Sequence, residues 1–226
     1  MPGAAFFDLD RTLVSRSSSL ALAPEFRRRG LIGRRDFAKA TAAQLVFVRF
    51  GAGQSRVGQT AESAMAILRG LPVEVMHEIV GASLETALRQ HVYQDALDAV
   101  EEHESRGEPS FIVSAALQEI VDALANELGF AGGVGSTAEV EDGVYTGRLL
   151  RRLYGQAKAD ALVELAAAEG IDLAASTAYS DSASDLPFLE AVGSPVVVNP
   201  DRALRRIAAE REWPVRRFRT KAFSAP

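Results

Sequence analysis

The chain has 226 residues, 47% apolar and 24% charged, with a net charge of −5 and no cysteine. That length supports one good core, or a core plus a smaller insertion, and the composition excludes disordered and fibrous classes. Without cysteine there are no disulfides, thiolate metal sites or thiol nucleophiles, and an acidic chain with only 7% aromatic residues offers little to nucleic acid.

The N-terminus, MPGAAFFDLD, lacks a basic leading region and reaches an acid at position 8, unlike a secretory signal. Its longest apolar runs, such as ALA at 21–23 and QLVFV at 44–48, fall far short of the roughly 20 residues of a membrane span. The expectation is a soluble, cytoplasmic protein with no membrane span. Charge is unevenly spread: residues 16–90 hold eleven basic against six acidic residues, the remainder fourteen against twenty-four. A basic lid over an acidic, metal-binding base has this asymmetry, and so do solvated helix faces.

Ala4 to Leu9 reads as the first strand. From about Ser18 to Gln90 the apolar spacing is helical, through Leu20, Leu22, Phe26 and Leu31, then Phe37, Leu45 and Val48, then Ile67, Leu68, Met76, Ile79, Leu84 and Leu88. A helix near Asp95 to Ser105 leads to a strand, Ser110 to Val113, ending at Ser114, and the next helix, Leu117 to Leu128, stops at Gly129. Asp142-Gly143 between two β-prone arms marks a hairpin over Thr137 to Leu150. Helix Gln156 to Glu169, strand Ser176 to Tyr179, strand Pro195 to Val198, helix Asp201 to Glu210 and a last strand around Val215 follow. Alternating strands and helices predict an α/β fold with a doubly wound, mostly parallel Rossmann-like sheet. The core is then 1–15 with 91–226, and 16–90 is a helical cap inserted after the first strand.

In such a sheet ligands bind outside the carboxyl ends of the strands. Asp8 and Asp10 stand at the end of the first strand, Ser114 at the second, Asp181 and Asp185 beyond a later one, and Lys158 begins a helix. Carboxylates gathered at one edge repel one another and call for a cation, and oxygen donors without His or Cys select a hard ion such as Mg²⁺. A metal, an ammonium, a hydroxyl and helix N-termini together favour a phosphate. One carboxylate can attack phosphorus and a second can handle the leaving-group proton. Asp8, nearer the strand, suits the nucleophile and a metal ligand; Asp10, in the loop, suits the acid and base, with its carbonyl offered to the metal. The bland alternative is a salt bridge from Arg11 to one of them.

AFFDLDRTL, FIVSA, Lys158 and YSDSASDLPFL resemble the four ordered motifs of the haloacid dehalogenase-like superfamily of phosphatases. A helical insertion directly after the first motif is similar to the cap of its phosphoserine-phosphatase-like branch, subfamily IB. The resemblance implies Asp8 as nucleophile, Asp10 as acid and base, and Thr12 supporting them. It implies that Ser114 and Lys158 hold the phosphoryl group, that Asp181 joins Asp8 and Asp10 as a Mg²⁺ ligand with Asp185 behind it, and that Ser182 and Ser184 hydrogen-bond around the acidic loop. The implied substrate is a small phosphorylated metabolite; a homodimer is left open.

Two departures qualify the resemblance. Arg11 stands where the superfamily usually has a small residue, so it points to solvent or adds to the charge met by the substrate. The stretch Ser15-Arg-Ser-Ser-Ser19 lacks the acid that phosphoserine phosphatases carry early in the cap for the substrate ammonium, and the next acid is Glu25; phosphoserine is left open. Transfer to an acceptor alcohol is an alternative to hydrolysis. A receiver-like domain phosphorylated on aspartate would need neither Asp10 nor the segment 16–90. The Arg27-Arg28-Arg29 cluster with Arg34 and Arg35 reads as a solvated helix end. His77, His91 and His103 receive no role, and the basic tail at Arg216, Arg217, Arg219 and Lys221 reads as an extension beyond the last strand.

Overall fold

The computed structural model describes residues 1–33 and 65–223; Arg34, Arg35, Phe37, Leu45 and Val48 lie outside them. In chain order the elements are β1 (Ala5–Phe7), α1 (Ser18–Ala21), α2 (Ala23–Arg28), α3 (Val73–Ser83), α4 (Gln94–Glu104), β2 (Ser110–Leu117), α5 (Gln118–Leu128), β3 (Gly132–Glu141) and β4 (Val144–Arg151). There follow α6 (Gln156–Glu169), β5 (Thr177–Ser180), α7 (Leu186–Glu190), β6 (Ser194–Val198), α8 (Arg202–Glu210) and β7 (Val215–Arg216). All seven strands form one sheet in the order β4-β3-β2-β1-β5-β6-β7. Every neighbouring pair is parallel except the β3–β4 hairpin. The expected doubly wound α/β fold is thus present, with β1 between β2 and β5 and its carboxyl end at the point where the chain changes direction across the sheet.

The first strand shows why. Alternate side chains of a strand leave opposite faces, and here Ala5, Phe7 and Leu9 enter one apolar cluster while Ala4 and Phe6 enter the other. Ile112 and Tyr179 join the first; Phe111, Val113 and Ala178 join the second. With both faces covered, no position near β1 is left for a polar residue except past its end. Helix α5 covers the first face with Ile120, Val121, Leu124 and Ala125, the i, i+1, i+4, i+5 pattern of a helix with one apolar side. Helix α6 covers the second with Ala161, Leu162 and Ala166.

The described part of 16–90 shares the first cluster: Leu22, Phe26, Met76, Ile79 and Leu88 pack with Ile112, Val121 and Tyr145. Its exit is laced to the hairpin by Gly70 N–H to Tyr145 O at 2.8 Å, Tyr145 N–H to Leu71 O at 3.0 Å and Val73 N–H to Gly143 O at 3.0 Å. In α2, Arg28 and Arg29 both pair with Glu25, and Arg29 also reaches Glu78. Among the described residues, no helix is long and apolar enough to cross a membrane.

Two strands run longer than the sequence suggests. Strand β2 continues past Ser114 to Leu117 with an irregular register against β3, and β3 begins at Gly132, ahead of Thr137, where the hairpin is expected to start. Its glycines are there for close approach: a Cβ on Gly133 would meet Val121 Cγ1 at 2.5 Å and Ile112 O at 2.7 Å. The hairpin turn is as expected, with Asp142 and Gly143 both at positive φ (48° and 79°), the pairing that a two-residue turn needs. Gly133→Ala should therefore cost about 1–3 kcal/mol through overpacking. Gly143→Ala, in open space, should cost only the left-handed penalty of about 1–2 kcal/mol. Urea unfolding of both variants, compared on a shared slope, checks the order; a larger loss at Gly143 would contradict it.

Candidate active site

Asp8 leaves the end of β1 with its N–H bonded to Tyr179 O at 2.9 Å, so its backbone still belongs to the ladder with β5. Lys158, in the first turn of α6 and 1% exposed, reaches across to it. Its Nζ donates to Asp8 Oδ1 at 2.5 Å and to Asp185 Oδ2 at 2.6 Å. Ser180 Oγ donates to the same Asp185 oxygen at 2.7 Å, and the Phe188 ring lies 4.7 Å from the ammonium. Asp185, expected behind Asp181 on the metal side, is thus directly the partner of Lys158.

Beyond Asp8 the chain turns tightly, with Leu9 O accepting from the N–H groups of Leu13 and Val14 at 2.9 and 3.0 Å. Asp10 on this turn accepts from Ser18 N–H at 2.8 Å, which ties it to the start of α1. Thr12 is fully buried and its Oγ1 has no hydrogen-bond partner. Arg11 adopts φ 67°, the left-handed region that glycine enters freely, a physical reason for small residues at this place. Its Nε lies 3.2 Å from Asp181 Oδ2. The guanidinium therefore faces neither Asp8 nor Asp10, the partners that the bland alternative offered, and it does not simply point to solvent.

Asp181 follows β5 directly. Phe7 is in register with Ile112 and Tyr179, so Asp8 just past β1, Ser114 within β2 and Asp181 just past β5 lie on three adjoining strands toward one edge. Ser114 is buried, and its Oγ accepts from Ala116 N–H at 3.1 Å. Ser182 and Ser184 share a hydrogen bond at 3.0 Å. Asp201, which the sequence reading passed over, caps α8 by accepting from Leu204 N–H at 2.7 Å and holds the acidic loop through Ala183 N–H at 3.1 Å. Its N–H donates to Asp181 O at 2.9 Å. The helix-start position of Asp201 was legible; its second partner lies 18 residues upstream and was not. His103, given no role, is buried beneath β5, with Nε2 2.8 Å from Tyr179 Oη and Nδ1 2.5 Å from Glu108.

Burial pushes the carboxyls of Asp8, Asp10 and Asp181 above their ordinary value. Lys158 opposes this at Asp8, the Ser18 N–H at Asp10 and Arg11 at Asp181. The set is short of positive charge. Among the described residues Asp181 Oδ2 is buried without a hydrogen-bond partner, the Arg11 contact being close but not aligned for one. An oxygen-only donor set with one orphaned carboxylate oxygen fits a hard divalent cation. Among the described residues no three acidic or imidazole groups converge into a ready-made cage.

Two outcomes follow from this electrostatic balance. Asp8 binds its proton more tightly folded, up to about 7, than at its ordinary 3.8, so between those values the folded state holds more protons and loses stability as pH rises. In EDTA, Asp8→Asn should flatten the fall in Tm across that window; an unchanged slope would contradict it. Lys158→Met strands two buried acids and should cost about 3–5 kcal/mol, read by denaturant unfolding at neutral pH.

A profile of haloacid dehalogenase-like hydrolases matches residues 5–190. A probable phosphatase of Mycobacterium tuberculosis is 41% identical over 215 residues, 95% of this chain and 75% of that protein. A phosphoserine phosphatase of the same organism is 34% identical over 97% of this chain and 72% of its own length. Among solved structures, a Bordetella pertussis protein of unknown function superposes with a TM-score of 0.81 at 27% identity, covering 95% of this chain and 98% of that one. The matched span runs from β1 through α7 and takes in Asp8, Lys158 and Asp181 together, and with it this chain belongs to the haloacid dehalogenase-like hydrolase family.

Proposed function

We propose that this phosphatase hydrolyses a small phosphomonoester through an aspartyl-phosphate on Asp8. The observation that carries the reading is the rigid Asp8 carboxylate, gripped through Oδ1 by Lys158, with a second acid two residues on whose carboxyl is held separately by Ser18 N–H.

Lys158 engages Oδ1, so the other oxygen of Asp8 attacks phosphorus and the P–O bond to the leaving alcohol breaks. Asp10, raised by burial and so able to carry a proton, gives it to the departing oxygen. As a carboxylate, Asp10 then takes a proton from the water that attacks the aspartyl-phosphate, which returns Asp8 and releases inorganic phosphate. Lys158 and Ser114 hold the phosphoryl oxygens, Thr12 supports the turn that follows the acids, and Asp185 with Ser180 keeps Lys158 in place. Asp8, Asp10 through its carbonyl, and Asp181 would hold Mg²⁺, with Ser182, Ser184 and Asp201 shaping the loop around Asp181. When bound, the ion supplies positive charge against the phosphoryl oxygens and the clustered acids. The segment 16–90 is read as the cap that closes over the site, and its described start is tied to Asp10 through Ser18 N–H.

A purified sample should release phosphate from p-nitrophenyl phosphate with Mg²⁺, lose the activity in EDTA and regain it on adding the metal back. Asp8→Asn should abolish turnover, and Asp10→Asn should lower kcat by about 10²–10⁴. Undiminished turnover in Asp8→Asn would overturn the covalent mechanism.

A further inference from the structure

The C-terminal segment does not trail beyond β7. Asn199 grips Phe218 by both backbone groups, through Nδ2 to its carbonyl at 2.9 Å and Oδ1 from its N–H at 3.2 Å. Asp95 Oδ2 accepts from the N–H groups of Arg219 and Thr220, each at 2.8 Å. The chain then runs beside 92–94, with Gln94 N–H to Thr220 O at 2.9 Å and Ala222 N–H to Val92 O at 3.0 Å. On the other side of this strip lies the turn that follows Asp10, through Tyr93 N–H to Leu13 O at 3.0 Å and Ser15 N–H to His91 O at 2.8 Å. A basic tail is thereby built into the rim of the candidate active site.

This places particular charges together. Lys221 Nζ lies 4.1 Å from the centre of the Tyr93 ring and 3.4 Å from His91 O, the carbonyl that also accepts from Ser15. Arg16 is the next residue after Ser15, whose Oγ is 3.3 Å from His91 Nδ1. Arg11, five positions earlier on the same turn, stands at Asp181. Among the described residues neither Arg16 nor Lys221 contacts a carboxylate, and Asp95, beside this strip, is occupied by backbone N–H groups. Burial and the charges of Arg16 and Lys221 push the His91 imidazole down, and burial and Arg16 do the same to the Lys221 ammonium, as crowded positive charge must. Glu25, the first acid of the helical segment, is taken up by Arg28 and Arg29.

We infer that Arg16 and Lys221, with Arg11 at the inner end, form an anion-binding rim that selects phosphomonoesters carrying a second anionic group, a carboxylate or a further phosphate. The inference rests on the phosphatase reading and adds to it the charge of the rest of the substrate. A rim of this kind binds an anion better the less it is screened, so its effect weakens with salt.

The test uses two matched pairs: glycerol 3-phosphate against 3-phosphoglycerate, and fructose 6-phosphate against fructose 1,6-bisphosphate. The first pair isolates a carboxylate, the second a phosphate. At low ionic strength the more anionic member of at least one pair should have a KM about five- to tenfold lower. Arg16→Gln and Lys221→Gln should each shrink that ratio by about two- to fivefold, the scale of an exposed ion pair. Lys221→Arg should keep it, as should Arg206→Gln, an exposed charge removed on the far side of the sheet. A wild-type ratio near one in both pairs, or a ratio that neither glutamine variant moves, overturns the rim while leaving phosphate release intact. Absence of release from every ester overturns the phosphatase reading and the rim together.

Discussion

A single buried ammonium makes this arrangement of acids tenable. Asp8 and Asp185 come from opposite ends of the chain, and both are almost closed to solvent; side by side in a low dielectric they would repel strongly. Lys158 lies between them at 2.5 and 2.6 Å, and to be there α6 must pack its Ala161, Leu162 and Ala166 face onto the sheet. The position of a fourteen-residue helix is thus tied to the ammonium contacts of two carboxyl side chains. Such buried pairs seldom add net stability over well-packed apolar residues. Under the mechanism proposed above, the cost of desolvating three charges serves chemistry at Asp8.

The same logic reaches below the sheet. Tyr179 stacks on Phe7 with ring centroids 4.4 Å apart, nearly parallel, and these are the residues just before Asp8 and two before Asp181. His103 fixes the Tyr179 hydroxyl from α4, and Glu108 holds the other side of His103. A polar column anchored at the helix end therefore steadies the aromatic pair on which the two acid-bearing strand ends rest. Its members are spread over 76 positions of sequence, and each looks like an ordinary helix or strand residue in isolation.

Much was legible where the signal is local. Helix α6 runs from Gln156 to Glu169 as its apolar spacing and terminal Gly170 suggest. The hairpin turn sits at Asp142-Gly143, and Asp8 and Asp181 follow the ends of adjoining strands, whereas Ser114, expected at a strand end, lies inside β2. What escaped depends on through-space neighbours. The hairpin is expected only from Thr137, and Val121 with the Ile112 carbonyl pressing on Gly133 shows how closely the earlier start of β3 packs. Arg11 gave no hint of its positive φ or of Asp181 as its partner, and Asp201 shows only its capping half. The route of the basic tail depends on Asn199 and Asp95, neither of which carries a sequence pattern for receiving it.

The lacing of residues 70–73 to the hairpin also bears on how copies of this chain could meet. By strand order β4 is a sheet edge, and an unpaired edge invites another strand. Here the backbone of Tyr145 and Gly143 is already engaged by Gly70, Leu71 and Val73, while the opposite edge, β7, is only two residues long. The sheet thus covers the start of its β4 margin with a short piece of its own chain. Among the described residues, a second copy adding a strand at this margin would have to pair beyond Tyr145, toward Arg151.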